Sequence, residues 1–265
     1  MPYPGREPDA PRRRNGLGMA VAGGALFTIV VTCALGAHSR APAANDALDL
    51  ELVLAVDASG SVNDGEFRLQ MSGIATAFRD PAVLAAIREG PAGRIAVTVA
   101  LWSESNLPKA ALAWHVVGDA ASAERFARQV EGFPRRVAAG GTGIGKGVMY
   151  ALDLLRNNGL GADRQVIDVS GDGVETGFRD YTVPISQARQ AADILGVTIN
   201  GLAILTDDPD LESYYRAQVI TGPGAFALSV DRYEDFAAAM RIKLVREIEN
   251  RPIVSQRPPR PPDPG

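Results

Sequence analysis

An α/β domain is what this sequence predicts: a doubly wound, mostly parallel six-stranded sheet with one antiparallel edge strand and helices on both faces. Three observations lead there. Short apolar runs of strand length alternate with segments of helical periodicity between residues 50 and 248. Most of the runs are apolar throughout, the mark of strands buried on both faces of a parallel sheet. Polar residues gather in the loops that follow those runs, and open α/β sheets bind ligands beyond the carboxyl ends of their strands.

Taken in order, residues 50–56 (LELVLAV) read as a buried strand that runs into the loop Asp57-Ala58-Ser59-Gly60-Ser61. Phe67, Met71, Ile74 and Phe78 recur at helical spacing until Asp80-Pro81 breaks that helix. Residues 94–102 form the second strand. In residues 109–117, Leu112, Trp114 and Val116 alternate with other residues, as suits an edge strand, and the short connection makes the strand antiparallel to the second. A helix follows over about residues 119–131. Gly140-Gly141-Thr142-Gly143 then opens a helix carrying Ile144, Val148, Leu152 and Leu155, and residues 165–169 make a further buried strand ending in Ser170-Gly171-Asp172-Gly173. The alternation continues with a helix after Pro184, a strand over 197–205, a helix after Pro209 and a strand over 225–230. A last helix places Phe236, Met240, Leu244 and Ile248 four apart. Trp102 and Trp114 read as core residues, and His115 as an ordinary surface or part-buried histidine.

The 265 residues are 46% hydrophobic and 22% charged, which excludes wholesale disorder and collagen-like repeats. A single cysteine, Cys33, rules out an internal disulfide and a Cys-rich zinc site. With His38 and His115 the only histidines, a mechanism that needs a His pair is nearly excluded. The net charge of −4 is unevenly spread, because Arg6, Arg12, Arg13, Arg14 and Arg40 crowd the first residues and leave the remainder more acidic. A body of that charge suits neither DNA nor RNA phosphates.

The two ends lie outside the expected fold. Arg12-Arg13-Arg14 precedes the uncharged residues 17–37 and the small residues Ala41-Pro42-Ala43-Ala44, so residues 1–44 read as an export signal. The same apolar run is long enough for an uncleaved anchor in the inner membrane, and Cys33 offers a lipoprotein alternative. Each option puts the rest of the chain in the periplasm or another extracytoplasmic space. The membrane is a partner only through that anchor. Residues 45–250 are one domain, and residues 251–265, with Pro258-Pro259-Arg260-Pro261-Pro262, form an extended tail.

The chemistry sits in three loops that hold Asp57, Ser59 and Ser61; Thr142; and Asp172. Hydroxyls and carboxylates are hard oxygen donors that suit Mg²⁺ or Mn²⁺ better than zinc. Alternate spacing at 57, 59 and 61 lets one tight loop aim several donors at a point. Rival motifs fall short. Residues 140–147 nearly spell a phosphate-binding loop, but Gly147 stands where a Ser or Thr must hold Mg²⁺. Asp57-Ala58-Ser59 is similar to the start of aspartyl-phosphate phosphatases, yet Ser59 cannot serve as their general acid. The acidic residues Asp207, Asp208, Asp210 and Glu212 read as a helix cap in preference to a calcium site.

Asp57-x-Ser59-x-Ser61 after the first strand, Thr142 in a later loop and Asp172 after the fourth strand together resemble the metal-ion-dependent adhesion site (MIDAS) of von Willebrand factor A-type (VWA) domains. The likeness covers roughly residues 48–248. Segments 166–173 (VIDVSGDG), 199–206 (INGLAILT) and 222–226 (GPGAF) are similar to an exported bacterial family of such domains, a domain of unknown function. The resemblance implies that Ser59, Ser61 and Thr142 ligate the metal through hydroxyls, while Asp57 and Asp172 hold its waters. Gly171 departs from the family pattern, which has Thr before the Asp. The implied function is a binding module and not an enzyme, with Mg²⁺ or Mn²⁺ recognising a carboxylate on a partner protein. The alternative is a metal-free envelope scaffold.

Overall fold

The computed structural model describes residues 47–176 and 182–249. The expected leader, with Cys33 and residues 17–37, and the Pro-rich tail lie outside the described residues. Among the described residues no helix is long and apolar enough to cross a membrane.

Strand β1 (Leu50–Asp57) is buried at every position and lies at the centre of the sheet. It pairs in parallel with β2 (Ile95–Trp102) on one side and β5 (Gln165–Gly171) on the other, Val56 facing Leu101 and Ser170. Beyond β5 come β6 (Thr198–Ile204) and β7 (Ala227–Val230), both parallel. The expected edge strand is two short pieces, β3 (Ala110–Ala111) and β4 (His115–Val117), both antiparallel to β2. Ala111 faces Ala100 while His115 faces Val97, so three edge residues stand opposite two of β2, a β-bulge. Thr98 secures it by donating its hydroxyl to the Leu112 carbonyl at 2.8 Å.

Alternate β1 residues face opposite layers. Leu50, Leu52, Leu54 and Val56 pack with α1 (Asp64–Arg79), α2 (Pro81–Glu89), α3 (Ala120–Glu131) and α7 (Phe236–Glu249), through Ile74, Phe78, Ile87, Phe126 and Phe236. Val53 and Ala55 pack with α4 (Ile144–Arg156), α5 (Ile185–Leu195) and α6 (Leu211–Tyr214), which continues as a wider turn over Tyr215–Val219. Trp102 is buried in this second layer, while Trp114 is only half-buried against it.

Local signals set the helix ends. Asn63 caps α1, accepting from the Gly65 and Glu66 amides while its own amide donates to Glu66. Asp80-Pro81 does end α1 but also starts α2, which the sequence reading lacks. Asp80 accepts the Ala82 amide at 2.8 Å and Pro81 takes the first helical position, where its missing N–H costs nothing. The acidic segment before α6 is a turn in which Asp208 accepts the Asp210 amide, and Asp210 makes no side-chain cap.

One polar cluster is sealed inside the α7 layer. Lys243 lies 2.9 Å from Asp168 on β5 and 2.5 Å from Glu247, all three essentially without solvent contact. Asn200 on β6 donates to Glu247 at 2.8 Å and accepts the Phe226 amide. Two carboxylates share one ammonium in a dry setting. Burial, then mutual repulsion, raises Glu247 to about 7, and burial also raises Asp168.

Candidate metal centre

The first loop begins where β1 runs out of neighbours. Asp57 is the last residue paired to Trp102, and its Oδ1 accepts the Ser59 amide at 2.7 Å, turning the chain sharply. The turn is fastened from three directions. Gln70 on α1 donates to the Asp57 carbonyl at 3.1 Å, and Gly60 donates to the Gly140 carbonyl at 2.7 Å. Arg135 donates to the Ala58 and Ser59 carbonyls at 2.9 and 2.8 Å, its guanidinium lying over the Phe67 ring.

On this support the side chains converge. Ser59 Oγ and Ser61 Oγ are 3.2 Å apart, and Ser61 donates to Asp172 Oδ1 at 2.7 Å. Asp172, just past the end of β5, accepts the Tyr233 hydroxyl on Oδ2 at 2.8 Å. Thr142 exchanges backbone contacts with Thr176, its amide donating to Thr176 Oγ1 at 2.8 Å and its carbonyl accepting the Thr176 amide at 2.9 Å. A Cβ on Gly173 would stand 3.4 Å from Thr142 Oγ1, so Thr142 borders the residue after Asp172. The structure thus gathers Asp57, Ser59, Ser61 and Asp172 through direct contacts and sets Thr142 alongside. All lie toward the carboxyl ends of β1 and β5, the expected pole of the sheet.

Electrostatics single out Asp57. It is fully buried, and that burial raises its carboxyl to about 7 against the opposing pull of the Ser59 hydrogen bonds, with Asp172 adding repulsion and Arg135 attraction. Its Oδ2 has no hydrogen-bond partner among the described residues. Asp57, tied to the Ser59 amide through Oδ1, thus adds a buried carboxylate to two hydroxyls and a second carboxylate, and hard oxygen donors of this kind suit a hard divalent cation. Among the described residues no three His, Cys, Asp or Glu side chains assemble for a metal, so a cation here depends on the hydroxyls.

The phosphate-loop likeness dissolves in three dimensions. Glu175 Oε2 accepts the Gly145 amide at 2.8 Å, so a carboxylate already occupies the start of α4. The glycines are there for packing: a Cβ on Gly145 would run into the Val183 carbonyl, and one on Gly147 would lie 2.8 Å from the Trp102 ring. His115 rests 5.5 Å from the Phe126 ring and uses Nδ1 on the Ala113 carbonyl. Sequence reasoning missed Arg135, Gln70, Tyr233 and Thr176, which reach the centre from other elements and carry no local spacing signal.

Residues 47–252 match the model of a protein family described as Protein of unknown function (DUF1194). No curated protein matches the sequence. Among solved structures the chain is similar to the pilus adhesin SpaC of Lactobacillus rhamnosus GG, at 15% identity over 77% of this chain and 31% of that one, with a TM-score of 0.55. It is similar to the vWF domain of the type V pili tip protein Mfa5 of Porphyromonas gingivalis, at 12% identity over 77% of this chain and 96% of that one, TM-score 0.51. It is also similar to proximal thread matrix protein 1 of the mussel byssus with a zinc-occupied MIDAS motif, at 16% identity over 76% and 47% of the two chains, TM-score 0.51. The chain therefore spans under half of the SpaC and byssus proteins. At such identities the likeness is one of fold, the doubly wound α/β sheet.

Proposed function

The chain belongs to the DUF1194 family of proteins of unknown function, and from that premise we propose that it is a metal-dependent protein-binding module of the VWA type. The observation that carries the reading is the convergence of Ser59, Ser61 and Asp172 beside the buried carboxylate of Asp57. Ser59, Ser61 and Thr142 would hold Mg²⁺ or Mn²⁺ through hydroxyl oxygens, with Asp57 and Asp172 supplying charge and orienting its waters. Bound there, the cation would offer an open coordination position to a carboxylate of a partner protein. The chain's own part is positional: Arg135 and Gln70 fix the turn, and Tyr233 and Ser61 between them engage both oxygens of Asp172. Keeping the direct ligands neutral leaves the cation short of negative charge, which favours an acidic partner. Pilus adhesins and a byssus matrix protein among the similar structures support an adhesion-type role in the envelope or outside the cell, for which residues 1–44 would be the export signal or anchor. No chemical step is assigned to the site.

Calorimetric titration of the full chain with Mg²⁺ and with Mn²⁺ tests this. One-to-one binding that vanishes in both Ser59→Ala and Asp172→Ala is the expected result. Absence of binding in the wild type, or binding unaffected by both substitutions, removes the metal from the site. A metal-free scaffold is then the better reading. It has its own support in the Ser61–Asp172 hydrogen bond, which closes the centre on itself.

A further inference from the structure

Two glycines on neighbouring strands carve a slot through the second layer. Gly201 on β6 lies under the ring of Tyr215, where an added Cβ would meet Cδ1 at 2.6 Å. Gly171, at the end of β5, lies under the far end of the same side chain, where an added Cβ would stand 2.9 Å from the Tyr215 hydroxyl. That same point is 2.8 Å from Asp57 Oδ2. The phenol and the carboxylate thus border one space above Gly171, where any side chain would displace one of them.

Both oxygens are buried, and neither has a hydrogen-bond partner among the described residues. Their needs are complementary. Burial holds the phenol protonated by raising it well above its usual range, so it has a proton to donate. Asp57 Oδ1 is committed to the Ser59 amide, which leaves Oδ2 as its free acceptor. The other nearby carboxylate is spoken for, since Asp172 receives Ser61 on one oxygen and Tyr233 on the other. Buried polar atoms of opposite capacity are seldom left apart in a folded protein.

We propose that Tyr215 is a positioning residue of this centre, its hydroxyl donating to Asp57 Oδ2 across the bare face of Gly171, directly or through one water. The link fixes the second oxygen of the carboxylate whose first oxygen shapes the Asp57–Ser59 turn. It also explains why Gly171 and Gly201 must lack side chains. The consequence for metal affinity rests on the function proposed above; the link itself does not.

Thermal melts of the full chain in chelator test the link without metal. Tyr215→Phe should lower the melting temperature by about 2–4 °C, the worth of one buried hydrogen bond in a domain of this size. In an Asp57→Ala background that loss should vanish, because the acceptor has gone. If Asp57→Ala fails to fold, the cycle is run with Gly171→Ala, whose cost should shrink once Tyr215→Phe vacates the shared space. Equal Tyr215→Phe losses with and without the second substitution overturn the proposal. Mn²⁺ titration then reads positioning apart from stability, with Tyr215→Phe expected to weaken binding about fivefold in protein that remains folded. An unchanged Mn²⁺ affinity overturns the positioning role. No Mn²⁺ binding by the wild type defeats the metal-centre reading instead, and the melts still decide whether Tyr215 serves Asp57.

Discussion

Tyr233 and Asp172 lie 61 residues apart and meet side chain to side chain, the phenolic hydroxyl donating to Oδ2 at 2.8 Å. Tyr233 stands in the short turn Tyr233–Asp235 that leads into α7, so the rim of the centre is fastened to the C-terminal helix. Since Ser61 occupies Oδ1, neither oxygen of Asp172 is free to swing. Tyr233→Phe leaves Oδ2 buried without its donor and should cost about 1–3 kcal/mol of stability. Urea unfolding measures it, and a loss below a few tenths of a kcal/mol would mean that water replaces the phenol.

Arg135 supports the first loop from outside, through two backbone carbonyls. Arg135→Ala should free both and weaken Mn²⁺ binding roughly tenfold, because the hydroxyls of Ser59 and Ser61 lose their fixed spacing. Calorimetry decides. Unaltered affinity would assign the loop's shape to the Gln70, Gly60–Gly140 and Asp57–Ser59 hydrogen bonds.

Glycines of one helix and one loop should behave very differently. Gly145→Ala forces a methyl into the Val183 carbonyl, and Gly147→Ala forces one onto the Trp102 ring, both rigid neighbours. Each should cost more than about 2 kcal/mol. Gly161 faces open space, and Gly161→Ala should stay within about 0.5 kcal/mol of wild type. Parallel melts of the three variants check the ranking.

The sealed cluster on α7 makes stability depend on pH. Glu247 titrates near its ordinary 4.5 when unfolded and at about 7 when buried beside Asp168. Between those values the folded chain holds a proton that the unfolded chain has released, so stability is greatest at the acid end and falls as pH rises toward 7. The direction follows from a carboxyl raised by burial and by the neighbouring Asp168. Unfolding in chelator at about pH 5 and about pH 8 should show the fall, and Glu247→Gln should reduce it. Asp57 adds to the wild-type slope with the same sign, so a residual dependence is expected in that variant. Stability that rises over the same interval contradicts the assignment.

The alternation of apolar runs and helical spacings carried the architecture, because buried parallel strands must be apolar on both faces and β1 is buried at all positions. The placement of the polar loops was legible too: the Asp57-x-Ser59-x-Ser61 turn, Thr142 before α4 and Asp172 after β5 stand in the loops where they were expected. The second helix was hidden because Asp80-Pro81 reads equally well as a stop and as a start. The edge-strand bulge depends on the partner strand, through Thr98, and leaves no pattern of its own. Arg135, Tyr215 and Tyr233 were invisible for a related reason. Each serves the centre from an element packed against it, and nothing local distinguishes such a side chain from any other loop arginine or core tyrosine.

Ser61 and Asp172 are 111 residues apart, yet their side chains share a hydrogen bond. Loop-closure entropy makes contacts of such separation late and slow to form. The centre therefore needs the pairing of β1 with β5: until it forms, Asp172 is apart from the loop that holds Asp57, Ser59 and Ser61. A cation that binds only the assembled centre would add to native-state stability by mass action and leave earlier species unaffected. Its uptake would then report when β1 and β5 have come together, the pairing that brings Asp172 to the Ser61 loop.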